Sequence, residues 1–428
     1  MTHLKFLFPI AMIAFALVAC QDDTAPDEPG NSEGTKTEQE ETGYNEPPMG
    51  TTAHAAKAIE LNASQMSVNE GVRNFSWDLF AVISEQNTDR ANLIFSPLSL
   101  QVELAMLLNA ANYATIPTLL EAMHLSENDV TDVNQYFSHL AKGITEADNV
   151  TRFSSSNSLW YDLRYTVATQ FDQALKEYYT CEFFPVEFGP ETTDKINHWA
   201  EERTYGRIKE IIQKTTHGVD YIHLLNAVYF RSPWSEEMSE MGEGNYTSID
   251  GSVSKVEMFR GSCYNLLSTS LYTATMVPFS NGAFAMFFIL PAEGVSFDEI
   301  YADVRSSGET FTDMKSSTKV IFTIPEFETK SDILLGDVLR TLNCDDLLSS
   351  SNMLNDFAGQ GFGLKQIANI KVDKDGAEAA AITTTTDGAL PGSQKPEVKY
   401  LTFDRPFIYG IVECSTATPL FLGEVAKL

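Results

Sequence analysis

Between Ser64 and Gln86, Val72, Phe75, Leu79, Phe80, Val82 and Ile83 recur at three- and four-residue spacing, which predicts an amphipathic helix. The next stretch, "NLIFSPLSLQVELAMLLNAA", opens a second helix at Pro97, which Ser96 and Ser99 bracket. Its apolar face is Leu100, Leu104, Leu107 and Leu108. "TTDKINHWAEERTYGRIKEII" reads as a helix that stops near Gly206 and then resumes. Beyond residue 220 the pattern changes. "YIHLLNAVYFRSPW", "ATMVPF", "AFAMFFILP" and "KVIFTIPEFE" are short apolar runs rich in β-branched and aromatic residues, closed by prolines or turns, and so read as strands. "IKVD", "RPFIYGIVE" and "PLFLGEVA" follow in the same style. Helices in the first 200 residues and strands after them, with some mixing, predict an α+β fold built on large antiparallel sheets.

The two ends of the pattern depart from this. Met1 to Lys5 is a short basic start, Phe6 to Leu17 is an apolar run of 12 residues, and "LVAC" closes it at Cys20. The run is too short to span a bilayer and reads as a signal peptide over 1–19. Its ending resembles a bacterial lipobox, with lipid attached to Cys20. Several acyl chains at about 0.8 kcal/mol per buried methylene anchor a protein stably, so the mature chain is expected to be tethered rather than membrane-spanning. Residues 21–50 then carry nine acids against Lys36 alone, four prolines and few bulky apolar side chains. Such a segment cannot bury enough surface to fold, so 20–61 is expected to be an acidic disordered tether ahead of a domain over 62–428. "QDD" after Cys20 also resembles the surface-export signals of Bacteroidetes lipoproteins.

Charge and reactive residues narrow the function. A net charge of −30 makes nucleic acid an unfavourable partner. Cys181, Cys263, Cys344 and Cys414 are widely spaced, without a CxxC pair, and are expected to be solitary buried thiols. One or two disulfides remain open outside the cytoplasm. The seven histidines never fall at metal-ligand spacing, and His198 beside Trp199 reads as a helix-packing residue. No HExxH, GxSxG, phosphate loop or dinucleotide fingerprint is present, so neither metal, cofactor nor enzymatic activity is expected.

One stretch has divided propensity. "DGAEAAAITTTTDGALPG", residues 375–392, runs from helix-favouring alanines into strand-favouring threonines and ends in a Gly/Pro tip. Drawn as a strand, Ala377, Ala379, Ala381, Thr383 and Thr385 share one face. Glu378, Ala380, Ile382, Thr384 and Thr386 share the other. The first face is small and uncharged, as a tight groove requires, and Gly376 can take the unusual backbone angles of a hinge. A plain flexible connection between two strands is the competing reading.

Five ordered motifs decide between them. "NLIFSPLSL", "INHWAEERTYGRIKEII", "LLNAVYFRSPW", "VDKDGAEAAAIT" and "RPFIYGIVECSTATPLFLGEV" resemble successive signatures of the serpins, across residues 70–428. The resemblance implies helices packed around three β-sheets, with a large central antiparallel-rich sheet and an exposed reactive loop at about 376–397. It implies a suicide inhibitor of serine, and also cysteine, endopeptidases: the loop is cut, and its freed N-terminal side enters the central sheet as a new strand. The hinge is then Gly376, Ala377, Glu378, Ala379, Ala380 and Ala381. Ser96, Ser99, Asn226 and Gln366 fall at the family's polar shutter under the opening strands, and Trp234 at the breach where the loop first enters. Three positions depart from the family: Lys374 replaces a glutamate, Ala377 a threonine, and Gln366 the shutter histidine. The bait bond is expected at Ala389–Leu390, suited to an elastase-like enzyme, with Leu390–Pro391 second. The loop is longer than in familiar members. The alternative is a non-inhibitory member acting as a binding or structural protein. The expected setting is a monomer on the cell envelope, lipid-anchored at the outer-membrane surface or extracellular.

Overall fold

The computed structural model describes residues 52–212, 222–348, 353–355, 364–377 and 397–428. The first helix, α1 (Ala63–Gln86), is fixed at its start by a capping box. Asn62 accepts from the Gln65 backbone N–H, and the Gln65 side chain accepts from that of Asn62. After β1 (Leu93–Phe95) comes α2 (Pro97–Leu108), capped by Ser96, whose hydroxyl accepts from the Ser99 N–H. All twelve α2 residues are buried, not only the leucine stripe, because the helix is enclosed on every side. The helical half continues with α3 (Ile116–Ala122), α4 (Val130–Ala147), α5 (Thr169–Tyr178) and α6 (Pro190–Arg203). The strands β2 (Arg152–Asp162), β3 (Thr166–Val167) and β4 (Glu182–Val186) interrupt it.

The helix expected to resume after Gly206 does not form within the described residues. Tyr205 and Gly206 both take positive φ (51° and 84°), which turns the chain, and 207–212 is non-helical. His198 also differs from expectation. Its side chain is 62% exposed, 3.4 Å from Glu202, while Trp199 takes the buried side of α6.

Strands dominate the remainder: β5 (Ile222–Pro233), β6 (Ser239–Thr247), β7 (Val253–Asn265), β8 (Leu267–Ser268), β9 (Tyr272–Pro278) and β10 (Phe284–Pro291). Helix α7 (Phe297–Ser307) precedes β11 (Lys315–Pro325) and β12 (Phe327–Leu334), and α8 (Gly336–Thr341) follows them. The chain closes through β13 (Leu354–Asn355), β14 (Lys365–Asp373), β15 (Gly376–Ala377), β16 (Val398–Thr402), β17 (Phe407–Glu413) and β18 (Thr418–Val425).

Three main sheets result. The central one runs β12-β14-β15-β5-β2-β4. A second, β1-β18-β17-β10-β9-β8, lies at the heart of the core, and a third runs β16-β11-β7-β6. Pairing is antiparallel except for β2 with β4 and β11 with β16. Helix α2 packs between β18 and β5, so it lies under the middle of the central sheet. An aromatic cluster of Trp77, Phe287, Tyr301 and Phe311 joins α1 and α7 to the second sheet, with Phe287 and Phe311 stacked at 4.7 Å.

Packing begins upstream of residue 62. Ile59 is buried, its N–H donates to Ser415 Oγ (2.8 Å), and the Lys57 N–H donates to the Ala147 carbonyl (3.2 Å). The expected tether therefore does not extend through the apolar pair Ile59 and Leu61. Both are in contact with the core.

Candidate functional site

The central sheet is continuous everywhere but at one place. Strands β14 and β5 are joined only through β15, two residues long. There Gly376 pairs with Asp373 and Pro233, and Ala377 with Val372 and Ser232. Below Ala377, no ladder pair connects β14 to β5 among the described residues. This stretch between β14 and β5, the slot, holds no paired strand among the described residues.

The mouth of the slot is built on a tight turn. Asp375 donates its N–H to Asp373 Oδ1 (2.9 Å), and Gly376 sits at φ 145°, in a region that a Cβ disfavours. Gly376 thus takes the unusual backbone angle expected of it. Trp234 fastens this turn from below: its indole N–H donates to the Asp373 carbonyl (2.9 Å) and its backbone N–H to that of Asp375 (3.4 Å). Its ring stacks on Phe279 at 4.6 Å and 8°. From outside, Lys374 Nζ meets Glu240 Oε1 of β6 at 2.7 Å. Hydrogen bonding to that carboxylate raises the Lys374 pKa and lowers that of Glu240. Ala377, the residue after the hinge glycine, is wholly buried.

Halfway down the slot, α2 ties both edges together. On the β14 side, Gln366 Oε1 accepts from the Ser96 N–H (2.7 Å) and its Nε2 donates to the Ser96 carbonyl (2.9 Å). The glutamine that replaces the family's histidine therefore makes two bonds and carries no proton switch. Ser96 Oγ donates to the Leu420 carbonyl (2.8 Å). On the β5 side, Ser99 Oγ donates to Asn226 Oδ1. Asn226 Nδ2 in turn reaches Asn157 Oδ1 (2.7 Å) and Ser155 Oγ (2.9 Å) on β2. Asn157 passes the chain on to the Tyr179 carbonyl (2.9 Å). Ser96, Ser99, Asn226 and Gln366 are thus brought together in one buried network.

Sequence reasoning missed Glu103, the one ionisable residue of α2. It is buried, accepts the Asn226 backbone N–H at 2.9 Å, and desolvation pushes its carboxyl up to about 8. A lone acid inside "LSLQVELAMLL" was the available signal. Ser155 and Asn157 were missed because "RFSSSNSLWYD" is too polar to read as a central strand.

The four described cysteines are free thiols. Burial pushes Cys181, Cys344 and Cys414 up to about 12 and Cys263 in the same direction, so all are protonated and poorly reactive. Among the described residues no cluster of side chains is arranged to hold a metal ion. Glu378, Ala379, Ala380, Ala381, Ala389, Leu390 and Cys20 lie outside the described residues.

A profile of the family described as serpin (serine protease inhibitor) matches residues 70–428. An uncharacterised serpin-like protein of Thermococcus kodakarensis is 27% identical over 371 residues, 84% of this chain and 85% of its own. The alpha-1-antiproteinase of Callosciurus caniceps is 28% identical over 369 residues, 82% and 87% respectively. Among solved structures, the native state of the thermophilic serpin tengpin superposes with a TM-score of 0.75 at 24% identity, covering 88% of this chain and 97% of that one.

Proposed function

The chain belongs to the serpin family and has its fold, and on that premise we propose that it is a suicide inhibitor of serine endopeptidases. Cysteine endopeptidases fall within the same chemistry. One observation carries the reading: Gly376 and Ala377 pair on both edges, with β14 and with β5, at the head of a stretch where no other described residue joins those two strands.

Continuing that register supplies the mechanism. Position numbers of paired residues sum to 749 across β14 and to 609 across β5. An inserting strand would thus bring Thr383 opposite both Gln366 and Asn226, at the α2 staple. Residues 378–384 would face β14 from Lys371 to Lys365, gaining about a dozen backbone hydrogen bonds at about 1 kcal/mol net each. Ala379, Ala381 and Thr383 would follow Ala377 on its buried face.

The target's serine attacks the carbonyl carbon of the bait residue, Ala389 with Leu390 as the second choice. The amine of the following residue leaves, and an ester links the inhibitor to the enzyme. Insertion of 378 onward then drags the acylated enzyme along the sheet before water can complete hydrolysis. An alanine bait directs this toward elastase-like enzymes. The leader and acidic segment put the inhibitor on a lipid tether at Cys20, at the outer-membrane surface or outside it, as a monomer of a bacterial envelope.

The test mixes the mature chain with an elastase-like serine protease and resolves the products on a denaturing gel. A covalent band near the summed masses is expected. A clean cut without that band would move the assignment to the non-inhibitory, binding class. Ala381→Arg, which places a charge on the inserting face opposite Ala368 and Val228, is expected to turn the inhibitor into a substrate. Retained trapping would show that this face has been assigned wrongly.

A further inference from the structure

Asn226 carries an acceptor it does not need in an ordinary sheet. On β5 the pairing with β2 runs without a register shift from Ile222 to Arg231. Alternate residues of an antiparallel strand aim their backbone groups at opposite neighbours. Ser232 pairs with Ala377, and Trp234 donates to Asp375, so the even-numbered residues of β5 face the slot. The Asn226 N–H belongs to that set, and it is already taken: Glu103 Oε1 accepts it at 2.9 Å. Glu103 is 3% exposed and reaches the donor from α2, beneath the sheet.

From this geometry we propose that Glu103 is a displaceable plug, a positioning residue whose carboxyl holds the slot-facing donor that an incoming strand must take. The proposal rests on the insertion reading above and adds a step to it. Every insertion has to break the Glu103–Asn226 bond, and the strand's own carbonyl then replaces the carboxyl. With Glu103 in place this one donor of the slot edge is satisfied and resists entry. Without an acceptor there, Asn226 is left with a buried unpaired donor that insertion relieves. The plug thus slows entry of any strand, including uncleaved loop, and adds to the Gln366–Ser96 tie across the slot.

The test uses the intact chain and a synthetic peptide, EAAAITTTTDGA, with the sequence of residues 378–389. Annealing is followed by native mass spectrometry. Glu103→Met, close in volume but without an acceptor, is expected to anneal the peptide about tenfold faster than wild type, the rate equivalent of about 1.4 kcal/mol. Glu103→Gln keeps the acceptor and is expected to stay within about twofold of wild type. A role in packing alone would not produce that rescue. If the methionine variant does not fold, Glu103→Asp, whose carboxyl falls short by one methylene, takes its place with the same expected direction. Equal rates for wild type and Met, or Gln as fast as Met, would overturn the plug. A wild type that anneals no peptide would instead sink the insertion reading, and the plug with it.

Discussion

Two sheets of this molecule share one core and differ in one respect. In the β1-β18-β17-β10-β9-β8 sheet, β10 pairs with β9 from Ala285 to Pro291 and with β17 from Phe284 to Ile289. Every residue of β10, β17 and β18 is buried. In the central sheet, β5 pairs with β2 from Ile222 to Arg231 on one edge and, among the described residues, only at Ser232 and Pro233 on the other. The first sheet has nothing left to gain. Among the described residues, the second leaves the edges of β14 and β5 below Ala377 without a strand partner, where burial makes an unpaired backbone group costly. On the insertion reading proposed above, metastability would be confined to that slot, so that a fold could be both well packed and short of its lowest state.

The largest test of the contrast is cleavage. If nicking the 378–396 segment lets a strand fill the slot, about a dozen new hydrogen bonds at about 1 kcal/mol each should raise the melting temperature by roughly 20 °C or more. Differential scanning calorimetry on intact and nicked protein reads this directly. Equal melting temperatures would mean that the central sheet is as complete as the other one, and the contrast would disappear.

How far this contrast could be read from sequence depends on which residues carry it. The finished sheet was legible because "AFAMFFILP", "RPFIYGIVE" and "PLFLGEVA" are uninterrupted apolar runs, which only buried strands tolerate. Gly376 stood out because only a glycine supplies that backbone freedom at no cost, and its φ of 145° uses it. The shutter residues were reached through family motifs, and the structure explains why periodicity could not find them. Ser96, Ser99, Asn226 and Gln366 come from a cap, a helix and two strands, and meet only in space. Strand β2, between β5 and the edge strand β4, was invisible because its serines and asparagine give up strand propensity for a network with Asn226, about 70 residues away in sequence. The helix does not continue past Gly206 because a favourable pattern hides a two-residue turn of positive φ.

A smaller effect sharpens the contrast by pH. Glu103 is the acid under the slot, and burial raises its carboxyl from 4.5 to about 8. The folded protein therefore keeps a proton that the unfolded chain releases above pH 4.5. Stability from this group is fully present below that pH, falls as pH rises toward 8, and levels off beyond it. Each pH unit across that interval costs about 1.4 kcal/mol, so the whole change comes to a few kcal/mol. Melting curves of wild type and Glu103→Gln from pH 5 to 8.5 should diverge, the wild type losing more. Parallel curves would place Glu103 in a wetter site than its burial indicates.

The smallest effect is expected where the slot is held by charge rather than by the core. Lys374 and Glu240 clamp the hinge turn to β6, but their side chains are 37% and 73% exposed. Solvent and salt screen such a pair. Trp234 holds the same turn through a buried indole bond and a stacked ring, neither of which salt can reach. Lys374→Glu sets a new carboxylate beside Glu240, with Asp373 and Asp375 next to it in the chain, so the sign of the interaction reverses. The melting temperature should drop by only about 1–2 °C in low salt and recover in about 0.5 M salt. Adding Glu240→Lys should restore it without salt. A drop that persists in salt would mean that the turn depends on Lys374 by packing, and that its surface matters to the slot as much as its buried side.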